Sequence, residues 1–322
     1  MTALLPDGWT TRRPTLDDVP AILALVHASD IAAVGEPDFT TEEVVEILTG
    51  PNHDPQKDSW LAVDSSGQIV GWAYIDNPSG GHRDNLDVYV RPGLGTPAQA
   101  LLLDLVVRRV AERVGEFGRA QMTARGGAIA SEAHYVTVLR DAGFSFVKRY
   151  ARMQRDLTGA ECLPEAPETI TIRLVRHDDD AEMRVFYGIL DAAFRDTPDY
   201  ESAGYDNYRQ RLAALPSVTW DEWLMAEVDG VPAAILQSAD QSGEQNEGWI
   251  KNLAVAKEFR GRGLGRLLLQ TAFATYAAKG RTSAGLGVDM TNPTGAYRLY
   301  QNVGMRAAYE ADVFERAVEA AG

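Results

Sequence analysis

Residues 253 to 269 read Leu253-Ala254-Val255-Ala256-Lys257-Glu258-Phe259-Arg260-Gly261-Arg262-Gly263-Leu264-Gly265-Arg266-Leu267-Leu268-Leu269. A strand-like run leads into glycines at every second position, and the chain then opens a helix with Leu269, Phe273 and Tyr276 along one stripe. Glycine lets the backbone approach a ligand closely. The first amides of a helix point outward with the positive end of its dipole. Arg260, Arg262 and Arg266 add charge where a phosphate would sit, so the stretch has the chemistry of a diphosphate cradle. It lacks the Gly-Lys-Ser/Thr ending of a P-loop and the Gly-x-Gly-x-x-Gly spacing of a dinucleotide site. Leu267, Leu268 and Leu269 start a buried helix, which argues against an RGG-type RNA segment.

A second block follows, Gly285-Leu286-Gly287-Val288-Asp289-Met290-Thr291-Asn292-Pro293-Thr294-Gly295-Ala296-Tyr297-Arg298-Leu299-Tyr300-Gln301-Asn302-Val303-Gly304-Met305. Arg260-x-x-Gly263-x-Gly265 resembles the acyl-CoA signature of the GCN5-related N-acetyltransferase (GNAT) superfamily. The second block resembles that family's next strand and the Asn…Tyr…Gly helix after it. The resemblance covers about 169–317 well and about 9–157 weakly. Two fused copies with the better motif in the second are similar to mycothiol synthases and related tandem acetyltransferases.

The resemblance implies acetyl-CoA as co-substrate and assigns residues to it. Leu253, Ala254 and Val255 match the strand whose main chain pairs with the pantetheine arm. Arg260, Gly261, Arg262, Gly263, Leu264, Gly265 and Arg266 match the pyrophosphate loop. Asn292 matches a side chain that contacts the CoA arm, and Ala296 at the start of the next helix joins the same set. Tyr300 matches the tyrosine that donates a proton to the departing thiolate. Its ordinary pKa of about 10 lies near that of a thiol, which suits the role. Glu247 is the candidate base, although the family's usual position falls nearer Trp249, two residues on. Glu227 and Glu244 are weaker alternatives for the base. Family members shape the acceptor site between helix and hairpin, where this chain has Asp196-Thr197-Pro198-Asp199-Tyr200-Glu201, Tyr205 and Tyr208. Acid with aromatic there suits a cationic amine.

These residues need a scaffold, and the rest of the sequence supplies one twice. The 322 residues suggest two domains, and 45% hydrophobic with 24% charged residues match an ordinary globular chain. The net charge of −15 disfavours nucleic acid and anionic membranes as partners. One cysteine, Cys162, excludes an internal disulfide framework. The five histidines show no ligand spacing, so no metal site is expected. No leader or membrane span is expected either, which gives a cytoplasmic protein, monomer or homodimer.

Trp9-Thr10-Thr11-Arg12-Arg13 and Ile170-Thr171-Ile172-Arg173-Leu174 each alternate like a strand and each precede a helical pattern. Asp17-Asp18 opens the first helix and Asp178-Asp179-Asp180 the second. Trp60–Val63 with Ile69–Tyr74, and Trp223–Val228 with Val231–Leu236, read as hairpins, the second through Asp229-Gly230. A strand, a long helix, a strand, a helix and terminal strands complete each half. The repeat spacing is 161 to 165 residues, setting Gly143 against Gly304 and Val90 against Val255. The expected architecture is α+β: two tandem GNAT-like domains, each a mixed, mostly antiparallel sheet flanked by helices. Domain boundaries are expected at 1–157 and 169–322, with a Pro- and Glu-rich linker at 158–168.

The first copy keeps its core pattern and loses the chemistry. Gly95-Thr96-Pro97-Ala98-Gln99-Ala100 stands against Arg260 to Gly265, and Pro97 removes an amide donor. Leu139 stands where Tyr300 does, and Ser131 where Asn292 does. The expected function is acetyl-CoA-dependent N-acetylation of a small-molecule amine by the second domain. Alternatives are mycothiol synthase chemistry on a cysteinyl pseudodisaccharide and a non-catalytic acyl-CoA-binding regulator.

Overall fold

Apolar alternation becomes strands and the helical stripes become helices, in the same order in both halves. The computed structural model describes residues 4–37, 39–50, 52–77, 80–195, 200, 202, 204–214, 218–240, 246–291 and 295–320. Two compact units are present, residues 1–150 with 309–322, and residues 151–308. The chain first forms β1 (Thr10–Arg12), α1 (Val19–Val34), α2 (Thr41–Thr49), α3 (Pro55–Asp58), β2 (Ser59–Val63), β3 (Ile69–Asp76) and β4 (Arg83–Val90). Then come α4 (Gln99–Glu116), β5 (Gln121–Ile129), α5 (Ala133–Asp141) and β6 (Ser145–Asp156). The second pass gives β7 (Ile170–Leu174), α6 (Asp180–Phe194), α7 (Tyr205–Ala214), β8 (Leu224–Val228), β9 (Val231–Ala239) and β10 (Glu247–Val255). It ends with α8 (Leu264–Ala278), β11 (Ser283–Asp289), α9 (Ala296–Asn302) and β12 (Arg306–Glu319).

In the first unit the strand order is β1-β2-β3-β4-β5-β12. β1 to β4 pair antiparallel in turn, β4 with β5 is parallel, and β5 with β12 is antiparallel. In the second unit the order is β7-β8-β9-β10-β11 and then the end of β6, with β10 and β11 parallel. The last strand of each sequence half is thus counted, wholly or in part, with the other unit. Residues 158–168 carry no helix or strand and fall within the span of the second unit, with Cys162 exposed.

Strand alternation sends successive side chains to opposite faces, so each sheet is covered on both sides. In the first unit Leu102, Val106, Val110 and Leu139 of α4 and α5 fill one face, and Ile22, Leu25 and Val44 of α1 and α2 meet Trp72 on the other. In the second, Leu268 and Phe273 of α8 lie on one side, while Met183 and Phe186 of α6 pack with Trp223 and Met225 on the other. Local signals explain the joints. Asp229 and Gly230 take φ of 50° and 77°, which fits the two-residue hairpin turn joining β8 to β9. Asp179 caps α6 by accepting from the amides of Ala181 and Glu182. At the first helix the expectation needs adjusting. Leu16–Asp18 form a separate short turn, and Thr15 with Asp18 makes its capping box.

Candidate active site

Parallel pairing between β10 and β11 is brief. Glu247, Gly248 and Trp249 pair with Ser283, Ala284 and Gly285, and no later residue of β10 pairs with β11. β10 stays bound to β9 as far as Val255, with a register shift between Ile250 and Asn252 that lifts Lys251 out of the ladder. The two strands therefore splay over Asn252 to Val255, leaving the backbone groups of Leu253 and Val255 on the β11 side without a ladder partner, while those of Ala254 face β9. Leu253 and Val255 are half-buried and Ala254 is buried. The same splay exists in the first unit, where β4 and β5 pair only from Arg83 to Leu86.

The glycine-rich turn follows β10 directly. Gly261 and Gly263 have φ of 76° and 80°, and a Cβ built on either would meet nothing within 4 Å. Gly263 is the residue before the helix, and Leu267 N–H to Gly263 O, at 3.1 Å, is the first bond of α8. The preceding amides of Leu264, Gly265 and Arg266 have no intrahelical acceptor, as helix geometry requires. Arg260, Arg262 and Arg266 are exposed and none pairs with a carboxylate among the described residues. Arg260 Nε donates to Val255 O at 3.2 Å, and the Arg262 guanidinium lies 5.3 Å from the Phe259 ring centre. Open space, free amides and unpaired cations fit a diphosphate.

Tyr300 lies on α9, 8% exposed, in the apolar cluster that also holds Ile250, Leu264, Leu286 and Val288. A Cβ on Gly265 would lie 3.0 Å from Leu299 Cδ2, so α9 packs on the first turn of α8 through the residue before Tyr300. Burial pushes the Tyr300 hydroxyl up to about 12, so it is protonated throughout the neutral range. Ala296 is half-buried at the start of α9, and Asn292 lies outside the described residues.

Glu247 departs from expectation. It is 1% exposed. Arg152 Nη2 donates to one of its carboxylate oxygens at 2.8 Å, and Gln154 Nε2 donates to the other at 3.2 Å. The Arg152 guanidinium also lies 5.0 Å from the ring centre of Trp249. Gly285 is a glycine because a Cβ there would fall 2.5 Å from Glu247 Oε1. A buried carboxylate committed to a guanidinium is poorly placed to collect a proton from an entering amine. Sequence reasoning missed Arg152 because it comes from β6, 95 positions away, and nothing local signals the pair. Glu227 is likewise engaged, bonded to Arg173 at 2.6 Å. Glu244, residues 196–199 and Glu201 lie outside the described residues. Of the expected acceptor residues, Tyr200 donates to Asp191 at 3.0 Å and Tyr205 to Asp180 Oδ1 at 2.6 Å, while Tyr208 is buried.

The corresponding turn of the first unit is closed. A Cβ on Gly95 would lie 2.1 Å from Val70 O, so this glycine is packed against a strand rather than open. Gly95 N–H bonds to Arg91 O, Ala98 N–H to Gly95 O and Gln99 N–H to Thr96 O, while Pro97 has no N–H. The amides that stay free before α8 are thus consumed before α4.

A splayed parallel pair, an open glycine turn into a helix and a buried tyrosine are an arrangement that suits an acyl-CoA-dependent acyltransferase. Residues 185–305 match the family model of the acetyltransferase (GNAT) family. A GCN5-related N-acetyltransferase from Sphaerobacter thermophilus superposes with a TM-score of 0.84 at 25% identity, over 98% of each chain. A tandem GNAT protein from the clavulanic acid biosynthesis pathway shares the fold, with a TM-score of 0.70 at 14% identity over 98% of this chain and 100% of that one. The mycothiol acetyltransferase of Thermobispora bispora is 26% identical over 306 residues, 91% of this chain and 94% of that protein. Residues 185–305 thus carry a GNAT acetyltransferase domain, and the chain as a whole is similar to tandem GNAT proteins. It is an acetyl-CoA-dependent N-acetyltransferase.

Proposed function

We propose that the second unit transfers the acetyl group of acetyl-CoA to the amine of a small molecule. The observation that carries this reading is the contrast between the two turns. The turn at Gly261 and Gly263 is open with free amides, and the one at Gly95 is packed with its amides spent. Arg260, Arg262 and Arg266 with the amides of α8 would hold the diphosphate. The backbone groups of Leu253 and Val255 that face away from β9 would pair with the pantetheine arm. Bound acetyl-CoA supplies the acetyl group as a thioester.

Tyr300 holds a proton at its hydroxyl for the sulfur that leaves. At about 12 it is a weaker acid than a free tyrosine, but the same burial also raises a thiol in that pocket, which narrows the mismatch. Glu247 is assigned to fastening β6 to β10 rather than to proton transfer, on the strength of its bond to Arg152. A second reading, that the acceptor is the cysteinyl pseudodisaccharide of mycothiol synthesis, is supported by the matches to two mycothiol acetyltransferases, over 91% and 80% of this chain. Acetyl-CoA-dependent thiol release over an amine panel that includes this acceptor separates the two.

Gly263→Val tests the cradle. Valine resists the left-handed conformation, and its side chain would fill the space over the amides, so acetyl-CoA affinity is expected to fall by about tenfold or more. The cost to folding should stay near about 1–3 kcal/mol. Calorimetric titration of the folded variant checks this, and unchanged affinity would put the cofactor elsewhere.

A further inference from the structure

The first unit has lost its phosphate turn, yet its splay is not filled. A cavity of about 290 Å³ opens between β4 and β5, close to the lower size of ligand pockets. Asp30 of α1, Phe39, Asp87 and Tyr89 of β4, Glu132 just before α5 and Tyr135 of α5 line it. No lysine or arginine is among its described lining residues. An acyl-CoA site needs neutral surroundings for the pantetheine and cations for the phosphates, and this cavity offers carboxylates beside a closed turn.

Tyr135 is the more telling residue. It is 4% exposed, and its hydroxyl has no hydrogen-bond partner among the described residues. Leaving a buried hydroxyl unpaired is costly, so a native chain keeps one when something else binds it. Asp87 accepts from the Tyr74 hydroxyl and is held up at about 6, chiefly by burial. Burial of this kind penalises the carboxylate until a cation arrives to pair with it. The rings of Phe39 and Tyr89 stand edge to face, 5.9 Å apart, and supply aromatic surface for a cation or an alkyl body.

We propose that this cavity is a second ligand site, specific for a small organic cation with a short apolar body, in which Asp87 pairs with the ammonium and the Tyr135 hydroxyl finds its partner. The site is separate from acetyl transfer in the second unit and stands or falls independently of it.

The test uses the full chain, titrated calorimetrically with n-hexylamine and with 1-hexanol, which has similar shape and no charge. Hexylamine should bind at least about tenfold more tightly than hexanol. Asp87→Asn, which keeps an acceptor for Tyr74, should weaken hexylamine by at least about tenfold and leave acetyl-CoA affinity unchanged. Tyr135→Phe gives an independent signature. Removing the unpaired hydroxyl should raise the unfolding midpoint of the ligand-free chain while weakening hexylamine. Equal affinity for amine and alcohol would overturn the proposal, as would unaltered hexylamine binding in either variant. A second acetyl-CoA that displaces hexylamine would overturn it as well.

Discussion

Replacing Tyr300 by phenylalanine is expected to lower turnover by about 10²–10⁴-fold, the range over which positioned general acids act. Acetyl-CoA affinity should be almost unaffected, because the change removes one oxygen and leaves the ring in its apolar cluster. The hydroxyl makes no hydrogen bond among the described residues, so deleting it breaks no structural contact. That separates this variant from most core substitutions, in which lost activity and lost stability travel together. The pH profile adds a sign. A donor held up at about 12 stays protonated far into the alkaline range, so any fall in rate between about pH 8 and 10 belongs to another group. Steady-state kinetics with a binding titration on the same sample checks both parts. Wild-type turnover in the variant would move the role to another group or to water.

The second large effect is on stability. Glu247→Gln should destabilise the chain by about 3–5 kcal/mol, because it leaves the buried Arg152 guanidinium without its counter-charge. A catalytic base would behave differently, losing rate at the optimum pH while unfolding at the wild-type denaturant concentration. The paired substitution Arg152→Met with Glu247→Leu removes both charges and should recover most of the lost stability. Denaturant titration of the single and double variants reads this directly. A stable, slow Glu247→Gln protein would restore the carboxylate to proton transfer.

What could be read from the sequence was local. The turn at Asp229-Gly230 follows from two residues that tolerate positive φ. The open turn before α8 follows from glycines at 261 and 263, one step from a helix start. Pro97 already announced that the first copy had spent an amide. What could not be read depended on residues far apart in the chain. Arg152 reaches Glu247 from a strand of the other sequence half. That same strand exchange places β12 in the first unit, although the repeat pattern alone divides the chain at 158–168. The cavity at Asp87 was hidden for a different reason. Setting the first copy against the second shows what it lacks, whereas Asp87, Glu132 and Tyr135 are additions with no counterpart in the motif.

The most direct test of the central claim, that acetyl transfer belongs to the second unit, combines Gly263→Val with Tyr300→Phe in one chain. Thiol release from acetyl-CoA is then measured with every amine that the wild type acetylates. At sub-saturating acetyl-CoA, turnover is expected to fall by about 10³-fold or more for all of them, since the open turn and the proton donor are removed together while the first unit is untouched. Turnover near the wild-type level would contradict the claim, and would place the working site beside the closed turn of the first unit.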